Sequence, residues 1–256
     1  GSLNASLYAI DDTTGAILIE PIQGEGGINI PGDGYLPGLR QLCDERDLLL
    51  ICDEVWTGCG RTGRYFAHQH WSIEPDIMTL AKGLTNAAVP MGAVLVRKHI
   101  YDAFMNGPDN AIELFHGYTY SGHPVACAAA LAVQRKIQAL DLLANVRSQG
   151  EVLESRLLDR LGNHAHVGDI RGRGLFRGIE LVADRATKEP FDPALKLHAG
   201  LKAQAMDRGL IYYPGGGTAD GGQGDHILLA PPFIIEKPEI DELVDRLSAA
   251  IDAATT

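Results

Sequence analysis

The sequence predicts an α/β fold, and three observations carry that prediction. Short apolar runs alternate with longer amphipathic stretches through the first half of the chain. Unbroken apolar strands separated by helices imply a parallel or mostly parallel sheet covered on both faces. Two of these runs lead into polar chemistry: Leu48-Leu49-Leu50-Ile51-Cys52 ends at Asp53, and Ile77-Met78-Thr79-Leu80 passes through Ala81 to Lys82 and Gly83. The later part of the chain changes texture, to glycine-punctuated strand-like segments and further helices, which marks a second, smaller α/β unit.

The elements follow in order. Residues 16–19 form a first strand, stopped by Glu20-Pro21. Residues 35–46 place Leu36, Leu39, Leu42 and Cys43 on one helical face, with Pro37 tolerated in the first turn. Residues 48–52, 77–80 and 92–96 are the next strands. The alanine-rich stretch 124–137 has strong helix propensity, and 144–161 is a second helix. Within 167–182, the run Arg171-Gly172-Arg173-Gly174-Leu175-Phe176-Arg177-Gly178-Ile179-Glu180-Leu181 reads as strand. Residues 193–208 form a helix ended by Gly209, and 227–230 a strand stopped by Pro231-Pro232. Residues 240–253 close the chain as a helix with the apolar stripe Ile240, Leu243, Leu247 and Ile251. The six glycines of 214–224 predict a flexible loop. A domain boundary is expected near residue 145, with a helix as hinge, dividing the chain into 1–145 and 146–256.

Composition narrows the function classes. The 256 residues suffice for one large domain or two smaller ones. The net charge of −11, from 33 acids and 22 bases, argues against a nucleic-acid partner. No run of about eighteen apolar residues is present, so no membrane span is expected. The opening Gly1-Ser2-Leu3-Asn4 has neither a basic region nor an apolar core, so export is not expected, and Gly1-Ser2 reads as a cloning remnant. Cys43, Cys52, Cys59 and Cys127 form no CxxC pair and read as reduced thiols of a cytoplasmic protein. The histidines include no HExxH and no Cys/His cluster, so no metal is expected.

Asp53 and Lys82 are the candidate catalytic pair. In a mostly parallel sheet, ligands collect beyond the carboxyl ends of the strands, which is where both residues lie. A lysine amine and a strand-end carboxylate are the two groups that pyridoxal phosphate needs: the amine forms the Schiff base, and the carboxylate keeps the pyridine nitrogen protonated. A lysine desolvated at a buried strand end becomes nucleophilic, although it can equally reach water or a partner. Asp53 alone could simply cap a turn. Val55 has the parity to share its side and lie against a flat ring. The turn Glu20-Pro21-Ile22-Gln23-Gly24-Glu25-Gly26-Gly27 lets backbone approach a ligand, or is merely solvated. His116-Gly117-Tyr118-Thr119-Tyr120-Ser121-Gly122-His123-Pro124 leads into the alanine-rich helix and suits a phosphate, unless Ser121 is a plain N-cap.

Six ordered motifs resemble class III aminotransferases, the omega or acetylornithine-type group of fold-type-I pyridoxal phosphate enzymes. They are EPIQGEGG (20–27), DEVWTGCGRTG (53–63), TLAKGLTNAAVPMGAV (79–94), HGYTYSGHP (116–124), RGRGLFRGIEL (171–181) and LLAPPF (228–233). The resemblance implies part of a large domain with a mostly parallel sheet covered by helices, followed by a small C-terminal α/β domain. It implies that Lys82 is the Schiff-base lysine and proton carrier, that Asp53 binds the pyridine nitrogen and that Val55 packs on the ring. Gln23 and Glu20 would lie near the cofactor or the substrate gate, with Glu20, Glu25 and Trp56 touching substrate. Thr119 would bind the cofactor phosphate of a neighbouring subunit, which implies a homodimer with shared active sites. The partners implied are an amine donor and a 2-oxo acid acceptor.

Three departures shape the expected chemistry. The chain starts just before EPIQG, so only the C-terminal portion of the family is covered, and as a fragment it could lack activity. Trp56 stands where many relatives have glutamine, and Cys59 where phenylalanine is common. Leu228 stands where the ornithine and 4-aminobutyrate enzymes carry an arginine, which leaves Glu25 without its familiar partner. This points to an omega-amine or beta-amino acid donor with a pyruvate-like acceptor. Aminomutase, racemase or dialkylglycine decarboxylase chemistry on the same scaffold is the alternative.

Overall fold

Four short strands build the first sheet of the computed structural model, which describes residues 9–108, 114 and 116–255; Gly1–Asn4 lie outside them. Strands β1 (Ala16–Ile19), β2 (Leu49–Asp53) and β3 (Ile77–Leu80) are parallel neighbours in that order. Strand β4 (Ala93–Val96) joins the far edge of β3 antiparallel. The chain between β3 and β4 holds only a 3-10 turn, Lys82–Leu84, and no crossover helix, so it returns rather than repeating the direction.

Burial alternates along β2: Leu50 and Cys52 are fully buried, whereas Leu49, Ile51 and Asp53 are half-buried. Helix α1 (Tyr35–Arg46) packs against β2, burying Leu36, Leu39, Leu42 and Cys43. Among the described residues the two faces of this sheet differ in burial. Cα partners across a ladder share a face, and the rows Leu18–Ile51–Ile77–Val96 and Asp53–Thr79–Val94 lie on one face. Leu18 and Val94 there are each 66% exposed. Asp53 belongs to this open face.

Asp76 fixes the opposite end of the sheet. Its Oδ2 accepts from the Leu50 amide at 2.8 Å and from Arg40 Nη1 at 2.7 Å. Burial pushes this carboxyl up, but the Leu50 amide and Arg40 outweigh it and hold it below the usual carboxylate range.

Helices α2 (Lys98–Met105) and α3 (Pro124–Ala139) complete the first compact unit, made of residues 1–21, 31–59 and 64–140. The second unit comprises residues 22–30, 60–63 and 141–256. It starts with α4 (Leu142–Leu161) and contains β5 (Val167–Arg173), β6 (Phe176–Leu181), α5 (Leu197–Asp207), β7 (Tyr213–Gly216), β8 (Asp225–Leu229) and α6 (Lys237–Thr255). The sheet is wholly antiparallel, in the order β5-β6-β8-β7. Its core joins Leu153 and Leu157 of α4, Leu201 of α5 and Leu247 of α6 to Ile179 and Ile227 of the strands. α4 crosses the β5–β6 turn so closely that a Cβ on Gly150 would sit 2.6 Å from the Gly174 carbonyl, which is why glycine is needed there.

Two expectations in this unit are corrected. The glycine-rich stretch 214–224 is not a loop throughout, because Tyr213–Gly216 pairs with β8. The helix expected over 193–208 is interrupted at Lys196, whose φ of 47° is left-handed; a 3-10 turn, Pro193–Leu195, precedes it and α5 follows.

Candidate active site

The two acids at the end of β2 point to opposite sides, as strand parity requires. Asp53 remains half-buried on the open face, and its Oδ1 accepts from the Val55 amide at 2.9 Å. Glu54 turns inward and is 1% exposed. It accepts from Thr57 Oγ1 (2.5 Å), the Ala67 amide (2.9 Å), the His68 amide (2.9 Å) and meets His68 Nδ1 at 3.0 Å. With the Gly58 amide bonded to the Glu54 carbonyl at 2.8 Å, this fixes the turn that carries Val55 and Trp56. Sequence reading assigned Glu54 no role; the signal was its parity, opposite to Asp53. Glu54→Ala leaves several buried donors unmatched and is expected to lower unfolding free energy by about 3 kcal/mol. Urea denaturation checks this, and Glu54→Gln, which keeps one acceptor oxygen, should lose less.

Lys82 enters from the neighbouring strand. Asp53 is paired in register with Thr79, three residues before it. Thr79 Oγ1 is buried and has no hydrogen-bond partner among the described residues. Lys82 opens the 3-10 turn with φ of 41°, and Gly83 lies so close that a Cβ there would be 3.1 Å from Cys59 Cβ. Of the two alternatives for Lys82, desolvated or reaching water or a partner, this chain shows the second: Lys82 is exposed. Its Nζ rests 3.3 Å from the centroid of the Trp56 ring, which is half-buried. Burial pushes the Cys59 thiol up to about 11 and the Cys52 thiol up to about 12, so neither is a competing nucleophile near neutrality.

The remaining first-unit candidates are more peripheral. Glu20 is half-buried just after β1. Thr119 is exposed in a turn closed by the Ser121 amide on the Tyr118 carbonyl (2.9 Å) and the Tyr118 amide on Ser121 Oγ (3.3 Å). Ser121 therefore does not cap α3; His123 is the N-cap residue, without a side-chain cap, and Pro124 starts the helix.

Gln23 and Glu25 belong to the second unit. Gln23 is exposed and exchanges backbone hydrogen bonds with Asn29. Arg171 ties this turn to the sheet, donating through Nε to the Gly27 carbonyl at 2.8 Å and through Nη1 to Asp169 and Glu180. A Cβ on Gly178 would meet Ile28 at 2.9 Å, so glycine lets the turn lie on the strand. Leucine, not arginine, stands at position 228, so the familiar cation for Glu25 is not supplied there. The Glu25 carboxylate, more than burial, holds the Tyr213 hydroxyl above the ordinary phenol range. Tyr213 is the register partner of Leu228. It thus stands beside the position where the arginine was sought, on a strand the sequence did not reveal.

His226 lies on the same face, two residues before Leu228. It is buried, and neither ring nitrogen has a partner among the described residues. Burial, and then Arg171, lower its pKa below the ordinary imidazole value of 6.5. In the window between its folded value and 6.5 the unfolded chain binds more protons, so stability is full above 6.5 and lost as pH falls. Thermal unfolding midpoints should drop over that window in the parent chain and drop less in His226→Gln.

Residues 2–251 match the family Aminotransferase class-III. This chain belongs to the class-III aminotransferases. The class-III chain is 44% identical over 233 residues to the omega-aminotransferase of Caulobacter vibrioides, covering 91% of itself and 49% of that protein. It is similar to a solved (S)-enantioselective omega-transaminase from Thermomicrobium roseum, with a TM-score of 0.85 and 40% identity over 93% of itself and 51% of that chain. It is also similar to an amine transaminase from an uncultivated Pseudomonas species, solved with pyridoxal phosphate bound, with a TM-score of 0.84 and 39% identity over 93% and 52% of the two chains. The class-III chain spans about half the length of the curated relatives it matches.

Class-III aminotransferases depend on pyridoxal phosphate, and the residues here fit that group. An amine and a carboxylate leave the carboxyl ends of adjacent parallel strands, and Thr79, the register partner of Asp53, carries an unsatisfied hydroxyl. Among the described residues, no group of three or more His, Cys, Asp or Glu could hold a metal, and no helix is long and apolar enough to cross a membrane.

Proposed function

We propose that the protein containing this chain transfers an amino group from an omega-amine or a beta- or omega-amino acid to a 2-oxo acid such as pyruvate. The observation that carries this reading is the placement of Asp53 at the end of β2 and of Lys82 just beyond its parallel neighbour β3. When bound, pyridoxal phosphate acts as an electron sink for the substrate carbon. Lys82 Nζ holds the cofactor between turnovers, takes the donor's α-proton and delivers it back during transfer. Asp53 keeps a proton on the pyridine nitrogen, and the Val55 amide orients its carboxylate. Val55 packs on the ring, and Gln23 lies beside the cofactor. Thr119 binds the cofactor phosphate of a second copy, so the assembly is a homodimer with shared sites, working in the cytoplasm. Residues 1–145 contribute to the cofactor-binding domain and 146–256 form the small domain. Glu20, Glu25 and Trp56 line the substrate side. The lack of a cation at Leu228 supports donors that carry no α-carboxylate.

The test is to supply the complete enzyme with cofactor, an omega-amine and pyruvate, and to measure alanine by chromatography. Alanine formed in step with loss of amine is the expected result. Bound cofactor with no amino transfer to any 2-oxo acid would overturn the reading in favour of other pyridoxal phosphate chemistry.

A further inference from the structure

We propose that Trp56 is a positioning residue for Lys82: its indole face receives the lysine side chain whenever the amine is not covalently engaged, and so restrains the reactivity of that amine. The catalytic consequence rests on the reading of Lys82 as the reacting amine, whereas the contact itself does not.

The geometry is that of a cation over a π face. Nζ lies 3.3 Å from the ring centroid, well inside the roughly 6 Å over which an ammonium is attracted to an indole. Both partners are held by their backbones. Trp56 sits in the turn fixed by Glu54, through the Thr57 hydroxyl and the Gly58 amide. Lys82 has left-handed φ, its carbonyl accepts from the Ala87 amide at 3.1 Å, and Gly83 abuts Cys59. A contact of this kind favours the ammonium over the neutral amine by about 2- to 30-fold.

The attraction acts on the ammonium and not on the neutral amine. Only the neutral amine attacks a carbonyl carbon, so the ring slows that attack. The same preference gives the side chain a defined place to return to after a donor amine has replaced it on the cofactor. Trp56 therefore acts on the lysine, a role distinct from the substrate contact expected of it. Phenylalanine keeps a weaker π face at this position and leucine keeps none.

The test uses the complete enzyme freed of cofactor and trace acetylation with acetic anhydride near neutral pH. The neutral amine bonds to one acetyl carbon, acetate leaves with its electron pair, and the amine proton passes to solvent. Mass spectrometry gives the acetylation of Lys82 relative to exposed Lys237 in the same digest. In Trp56→Leu this ratio is expected to rise about 2- to 30-fold, and in Trp56→Phe by a smaller factor. An unchanged or lower ratio in both variants, or equal rises in both, overturns the proposal. If Trp56→Leu does not fold, Trp56→Phe against the parent decides alone, a rise supporting the proposal and no rise overturning it. Because no cofactor is present, the outcome is independent of whether the complete enzyme transaminates.

Discussion

Lys82→Ala is expected to abolish multiple turnover in the complete enzyme and to eliminate the borohydride-trapped cofactor adduct at position 82. Proton transfer by a positioned side chain contributes about 10²–10⁴-fold by itself. On the proposed reading the lysine also anchors the cofactor covalently, so the residual rate is expected to fall further. The fold should not change. Lys82 is exposed, and exposed substitutions away from special features usually stay within about 0.5 kcal/mol. The left-handed φ of 41° is no exception, because alanine and lysine both carry a Cβ and meet the same strain there. Steady-state assay, peptide mass spectrometry after borohydride, and thermal unfolding separate these effects. Preserved multiple turnover would reject Lys82 as the reacting amine.

Local pattern made some of this legible and tertiary context hid the rest. Helix α1 was read to its end residues because Leu36, Leu39, Leu42 and Cys43 keep an uninterrupted helical period and all are buried. Strands β1 and β3 were likewise read at their bounds. Asp53 and Lys82 could be read because each follows directly on an apolar run. An apolar run shows that a strand can be covered on both sides, not that it is, and Leu18 and Val94 lie open. Helix α2 escaped notice because it buries no residue, so no core-facing stripe selects it. Glu25 and Tyr213 are far apart in sequence, and Tyr213 precedes a glycine run that reads as loop. Only the pairing of β7 with β8 brings it beside Leu228. The inward turn of Glu54 was available from parity. The Lys82–Trp56 contact was not, since it depends on how two turns fold after their strands.

Asp53→Asn isolates charge from structure at the other half of the pair. Asparagine keeps the volume and an acceptor oxygen for the Val55 amide, so the turn at the end of β2 stays fixed and the thermal midpoint should barely move. What is lost is the negative charge that, on the proposed reading, keeps a proton on the pyridine nitrogen. Two unit charges about 4 Å apart at an effective dielectric of about 20 attract by about 4 kcal/mol. Losing that stabilisation where negative charge must flow into the ring slows turnover by about 10³-fold. The adduct at Lys82 should persist, because its formation needs the amine and not the carboxylate. This pattern separates the two residues: Asp53→Asn keeps trapping and loses rate, whereas Lys82→Ala loses both. Asp53→Ala adds the loss of the Val55 tether, so it should also lower stability, and the difference between the two variants measures what that hydrogen bond contributes. Turnover within a few-fold of the parent in Asp53→Asn would show that the ring nitrogen is not held by this carboxylate.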